Sequence, residues 1–249
     1  QIQAETEDLR EARDLLQAGQ QAYRLRADEL LLTALSRVLC NWSEQPTLTV
    51  HLESHGRDSP WPGIDLAGTC GWFTVLHPVR LEIAGTADPA AAFAAARAAL
   101  SAVPSTGPSR GLGWGVLRHL AGDGSLSSAP PASVALNYLG QTDAGTAGLD
   151  GFAPLAAAYG GERDPRQPRS HALAFNARVQ GGTLILDLAY GAGRLSADTA
   201  DRLVAGMAES LEALVDAAAG PASARFDKID LAEHELDALM ADLADSFDD

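Results

Sequence analysis

The hydrophobic period of this chain changes abruptly near residue 45, and that change constrains the fold more than any other feature. Leu31, Leu32, Leu35, Val38, Leu39 and Trp42 recur at the three- and four-residue spacing of one helix face. Asp28 stands where an N-cap would help, and residues 43–46 break the pattern. From 47 to 53, Leu48, Val50 and Leu52 alternate with Thr47, Thr49, His51 and Glu53, which predicts a half-buried strand with one polar face. A chain carrying both periods must layer helices on a sheet, with Glu53 at a strand's end.

The same periods recur downstream. Val79, Leu81 and Ile83 alternate with Arg80 and Glu82 in a strand over 73–83. Asp88 and Pro89 open a helix that Pro104 closes. Residues 133–140 are nearly continuous apolar sequence around Asn137 and Tyr138, as expected of an interior strand. Gly181-Gly182 separates two alternating runs, 171–179 and 183–190, a hairpin signal. A helix from about Ser196 places Leu203, Val204, Met207, Leu211, Leu214 and Val215 on one face, and Gly220-Pro221 ends it. Residues 5–19 predict a surface helix with a narrow stripe of Leu9, Leu15 and Leu16. The stretches 121–132 and 141–170 read as loops, the second long enough to be a functional candidate. The expected class is α/β, in α+β layers: a mixed β-sheet with packed helices over 1–225. The acidic stretch 226–249, with Leu231, Leu236, Leu239 and Met240 at roughly helical spacing, is expected to be a tail or linker. The chain opens on Gln1, as expected of a piece of something longer.

With 249 residues, 46% of them hydrophobic, a sizeable core can be buried. No run of about 18 uncharged apolar residues occurs and the N-terminus lacks the order of a signal peptide, so a cytoplasmic protein without membrane association is expected. A formal charge of −15 repels nucleic acid and anionic membranes and favours neutral, zwitterionic or locally basic partners. Cys40 and Cys70 read as buried free thiols, one in a helix and one at a strand edge; neither a disulfide framework nor a cysteine-rich metal site is available.

Three chemical readings can be tested on spacing alone. His51, Glu53 and His55 suggest a metal site, but residues four apart on a strand lie about 13 Å apart, whereas zinc ligands sit about 2.1 Å from one ion. Gly111, Gly113 and Gly115 suggest a phosphate loop, yet Val116 stands where the third glycine of a dinucleotide fingerprint belongs, and a flexible turn is expected instead. No Gly-x-Ser-x-Gly elbow is present. The segment Glu53-Ser54-His55-Gly56-Arg57-Asp58 puts a carboxylate at a strand's end, then a glycine that frees the backbone and an arginine able to hold an anion. It reads either as a site or as a solvated salt-bridge cluster. Asn137 and Tyr138 pose a similar choice. An amide and a phenol in an apolar strand cost a few kcal/mol unless partnered, so they either satisfy backbone groups or face a polar cleft.

Taken together these residues resemble the signatures of epimerization domains in nonribosomal peptide synthetases. Residues 53–58 are similar to the family's Glu-Gly-His-Gly-Arg-Glu. Thr69-Cys70-Gly71-Trp72-Phe73-Thr74 resembles Thr-Val-Gly-Trp-Phe-Thr, and Leu136-Asn137-Tyr138-Leu139-Gly140-Gln141 resembles Phe-Asn-Tyr-Leu-Gly-Gln. Pro104 through Leu120, with Gly111, Gly115, Leu117 and Arg118, resembles the family's Pro-x-x-Gly region. The motifs occur in the family's order over about residues 20–240.

The resemblance implies a chloramphenicol-acetyltransferase-like architecture of two lobes around a tunnel, with this chain as the C-terminal lobe. The family's His-His-x-x-x-Asp-Gly belongs to the N-terminal lobe, and no adjacent histidine pair occurs here. The implied reaction inverts L to D at Cα of an aminoacyl or peptidyl thioester, in secondary-metabolite and antibiotic biosynthesis. Glu53 would take or return the proton opposite the missing histidine. Arg57, Asn137 and Tyr138 would orient Glu53 or line the tunnel, and His55, Trp72 and Thr74 would contact substrate. No metal and no directly bound cofactor are implied; the phosphopantetheine arm of a partner peptidyl carrier protein delivers substrate, among neighbouring synthetase modules. The isolated chain is expected to be inactive. Burial would raise the Glu53 pKa and Arg57 would lower it, a contest left open by sequence. Ser54, where the family has glycine, and Asp58, where it has glutamate, point to a rival: a degenerate condensation-like domain that recruits or spaces partners. A condensation catalyst is the third reading.

Overall fold

In the computed structural model, residues 2–3, 26–57, 63–83, 88–103, 111–122, 124–142, 164 and 167–219 are described. The expected helix at 5–19, Asp58, Pro104, most of the loop at 141–170 and the acidic stretch 226–249 lie outside them.

The helical run before residue 45 forms α1 (Ala27–Ser43), and Leu31, Leu32 and Leu35 on its inner face are fully buried. It starts before Asp28: Arg26 is the N-cap and its N–H donates to the Glu29 carboxylate at 2.8 Å. Trp42 is half exposed, because α1 is already leaving the core before Glu44, at φ 55, ends it. The alternating run is β2 (Leu48–Ser54), with Val50 and Leu52 buried, Leu48 packed against the core and Thr49 exposed. His51 departs from the expected polar surface, being buried on the opposite face.

A hydrogen-bonded hairpin partner follows in β3 (Val75–Leu81), paired antiparallel from Leu48↔Leu81 to Ser54↔Val75. Asp88 caps α2 (Pro89–Ser101) by accepting from the Ala90 N–H at 3.1 Å. The glycine-rich segment expected to be a flexible turn is instead α3 (Leu112–His119), packed on β3. Glycine lowers intrinsic helicity by about 1 kcal/mol, and packing overrides it here. A short helix, α4 (Gly124–Ser128), interrupts the loop expected over 121–132. Then come β4 (Val134–Gln141), β5 (Leu173–Gln180), β6 (Thr183–Tyr190) and α5 (Ala197–Ala219). Gly181 and Gly182, at φ 59 and 83, make the expected tight turn. A strand not foreseen, β1 (Ile2–Gln3), pairs with β6.

The sheet is mixed, in the order β1-β6-β5-β4-β2-β3, with β2/β4 and β4/β5 parallel and the other pairs antiparallel. β4 is interior, as its apolar composition predicts. α1, α2 and α5 cover one face and share a single core with Val50, Leu136, Phe175 and Leu186. Each such fully buried side chain contributes about 1.5–3 kcal/mol. Because β2 and β4 run parallel, their carboxyl ends open on the same edge, which is where α/β sheets commonly hold ligands.

Candidate active site

At that edge a cavity of about 750 Å³ is lined by Leu52, Glu53, Ser54, His55, His77 and Tyr138, with the start of α1 and the end of α2 as walls. Glu53 is half-buried near the end of β2, across from Leu76. Burial raises its carboxyl above the ordinary glutamate range. The contest between burial and Arg57 is therefore decided for burial, because the guanidinium points elsewhere. Arg57 Nη1 donates to the carbonyls of Leu66 at 2.8 Å and Thr69 at 2.9 Å, and the group stacks on Phe73, 4.7 Å from the ring centre. It fastens the following loop and does not line the cavity.

Gly56 makes that arrangement feasible. At φ 60, a Cβ there would overlap the Phe73 carbonyl oxygen and sit 2.8 Å from Val75 Cγ2. Ser54, the departure from the family pattern, takes an ordinary strand position opposite Val75, so its Cβ is carried without strain. His55 is exposed at the cavity rim, and its Nδ1 accepts the Arg57 N–H at 3.0 Å.

Asn137 and Tyr138 point to opposite faces of β4. Tyr138 packs against the core and lines the cavity, and burial raises its phenol pKa, keeping it a proton donor. Asn137 is half-buried on the other face across from Asn176 and does not line the cavity. Trp72 is 89% exposed and Thr74 is exposed, and neither lines it. Of the seven residues implied by resemblance, Glu53, His55 and Tyr138 border this cavity, with the Glu53 side chain on the sheet face of His51 and Asn137, and Tyr138 on the face of Leu52.

Two histidines were not singled out for this site by the sequence. His77 is 5% exposed, shares a face with Val75, Val79 and Leu81, and has an Nδ1 that is sealed and unpaired. Its signal was present: it falls on the apolar phase of the strand. Burial lowers its pKa, so the ring is neutral. On the opposite face His51 Nδ1 lies 2.8 Å from His171 Nε2, with the rings edge to face at 5.1 Å. Its pKa falls to about 4, first through burial and then through His171, Arg118 and His77.

The cavity wall is held by an ion pair between helices. Arg97 of α2 reaches Glu29 of α1 at 3.1 and 3.3 Å. Burial alone would raise the Glu29 carboxyl, but the Arg97 hydrogen bond, the Arg26 N–H and both positive charges hold it low. The carboxyl edge of the sheet thus carries a carboxyl of raised basicity on one face, able to move a proton, and a buried imidazole and a protonated phenol on the other. Among the described residues, no group of three His, Cys, Asp or Glu is placed to hold a metal ion. A larger cavity of about 1070 Å³ between α1 and α5, lined by Cys40, Trp42 and Ser210, contains none of these groups. Cys40 is buried, but Cys70, expected to be buried at a strand edge, is exposed in a loop. No helix among the described residues is long and apolar enough to cross a membrane.

Comparison with known proteins agrees with this architecture. A family model for the condensation domain matches residues 4–237. Chondramide synthase from Chondromyces crocatus is 34% identical over 91% of this chain, and a linear gramicidin synthase of Brevibacillus parabrevis is 32% identical over 96% of it. The chain spans only 6% and 3% of those relatives. Among solved structures, the epimerization domain from the third module of tyrocidine synthetase B superposes with a TM-score of 0.73 at 24% identity, over 84% of this chain and 46% of that one. PapA2 acyl transferase gives 0.60 at 12% identity, over 86% and 44%. These establish a condensation-domain fold: a mixed sheet with packed helices.

Proposed function

The chain belongs to the condensation-domain family, and from that premise we propose that it forms the C-terminal lobe of a nonribosomal peptide synthetase epimerization domain. Its substrate is an aminoacyl or peptidyl thioester, carried on the phosphopantetheine arm of a peptidyl carrier protein. The observation that carries the reading is Glu53: it lies in the motif most like the epimerization signature, lines a cavity at the sheet's carboxyl edge, and has its carboxyl raised by burial.

A raised pKa makes Glu53 the stronger base and the better proton carrier near neutrality. It removes the Cα proton, and the electron pair moves onto the thioester carbonyl oxygen. Reprotonation from the opposite face gives the inverted centre, and the group for that step is the histidine of an N-terminal lobe carrying His-His-x-x-x-Asp-Gly. Arg57 and Gly56 act by shape: they hold the loop that closes the site beside His55.

Within its synthetase, and with a carrier protein loaded with Cα-deuterated aminoacyl thioester, the domain is expected to wash out deuterium and bring the D/L ratio to a common value from either enantiomer. Peptide-bond formation without deuterium loss would instead assign a condensation catalyst. Binding of carrier protein with neither reaction would assign the recruitment module.

A further inference from the structure

The strand register continues a polar row from Glu53 across the sheet. One step beyond the last β2/β4 pair, Leu52↔Leu136, Glu53 stands beside Asn137; Asn137 is paired with Asn176 on β5, and Asn176 with Asp187 on β6. These four side chains fall on the sheet face of His51, opposite the core of Leu136, Phe175 and Leu186 that α1, α2 and α5 cover. All four are half-buried. Asp187 at the far end is paired with Arg178, which lies on the same face two residues beyond Asn176. The two asparagines differ from that pair, because among the described residues neither amide is used in a hydrogen bond inside the protein.

An asparagine side chain carries both an acceptor oxygen and N–H donors, the complement of a peptide group with its own N–H and C=O. The row's spacing sets the length of ligand it fits. Neighbouring strands lie about 4.8 Å apart, which puts Asn137 about 5 Å and Asn176 about 10 Å across the sheet from Glu53, whereas an extended peptide advances about 3.4 Å per residue. A chain whose reacting Cα sits at Glu53 therefore passes Asn137 near its second residue and Asn176 near its third. The amino group of a single aminoacyl thioester is about 1.5 Å from its Cα and cannot reach Asn176. Because Arg178 compensates Asp187, the far end of the row carries no net charge and suits neutral peptide groups.

We infer that Asn137 and Asn176 form a peptide-backbone subsite beside Glu53, and that the substrate is a peptidyl thioester whose upstream residues lie across β4 and β5. The inference rests on the reading of Glu53 as the base. It is tested in the complete synthetase with the same Cα-deuterated residue loaded on the carrier protein alone and as the last residue of a tripeptide. The tripeptidyl thioester is expected to lose deuterium with a kcat/KM at least about 10-fold higher, the weight of one net hydrogen bond. Asn176→Leu, of similar size without the amide, is expected to shrink that preference about 10-fold, and Asn176→Gln to recover part of it. Equal washout of the two substrates by the unmodified synthetase would overturn the subsite without any variant, as would Asn176→Leu losses that fall equally on both. Full washout of both substrates by Glu53→Gln would overturn the functional reading, and the subsite with it.

Discussion

Replacing Gly56 with alanine tests how tightly the signature segment is built. The added Cβ would fall on the Phe73 carbonyl oxygen and 2.8 Å from Val75 Cγ2, in a residue at φ 60. The left-handed conformation alone costs an L-residue about 1 kcal/mol. Relieving the overlap requires backbone to move, since the atom met is a carbonyl and not the end of a flexible side chain. Moving Phe73 pulls on the ring under Arg57 and on the hydrogen bonds from Arg57 to Leu66 and Thr69. Two such bonds, each contributing about 1 kcal/mol net, bring the expected total to about 3–4 kcal/mol. That is a large share of the roughly 5–15 kcal/mol by which domains are stable. Equilibrium urea unfolding of the full chain should show the midpoint fall accordingly, while Ser54→Gly, two residues away in ordinary strand geometry, should change stability by less than about 1 kcal/mol. A Gly56→Ala loss under about 1 kcal/mol would refute the close-approach argument.

Arg97→Ala removes one of the two cations beside the buried Glu29 carboxylate and, with Arg97 itself half exposed, should cost about 1–2 kcal/mol in urea unfolding at pH 7; because Glu29 is held below its ordinary 4.5, that deficit should disappear as the pH falls through the folded-state value. His51, at about 4 against an ordinary 6.5, binds its proton more readily when unfolded, so stability should fall as pH drops from 6.5 toward 4, with a slope of at most about 1.4 kcal/mol per pH unit from this group. His51→Gln should flatten that slope in parallel melts at pH 7 and pH 5. The raised Glu53 carboxyl should place the acid limb of the kcat/KM profile for deuterium washout above the ordinary 4.5; a limb at or below that value would contradict its burial.

Much of the fold was legible because side-chain period and turn chemistry are local. The alternation through β2, the paired glycines before β6 and the leucine face of α5 all appear where the pattern put them. The misses have physical causes. α3 was hidden because Gly113 and Gly115 weaken its local helical signal, while its packing on β3 is a tertiary effect. β1 is two residues long and exists through pairing with a strand remote in sequence. At the site, Glu53 could be read from its place at a strand's end. That Arg57 turns away to bind two carbonyls could not, since motif adjacency says nothing about rotamer direction. His77 could have been found: a lone histidine on the apolar phase of an alternating strand is a buried imidazole whose hydrogen bonds need explaining.

The most direct test is Glu53→Gln in the complete synthetase, followed by Cα-deuterium loss and D/L ratio on the loaded carrier protein. A neutral isostere keeps the shape of the cavity and removes the proton-transfer group. Loss of nearly all washout with carrier-protein affinity unchanged is the expected result, alongside no turnover from residues 1–249 alone. Undiminished washout by Glu53→Gln would remove Glu53 from the mechanism, and with it the epimerase reading of this cavity.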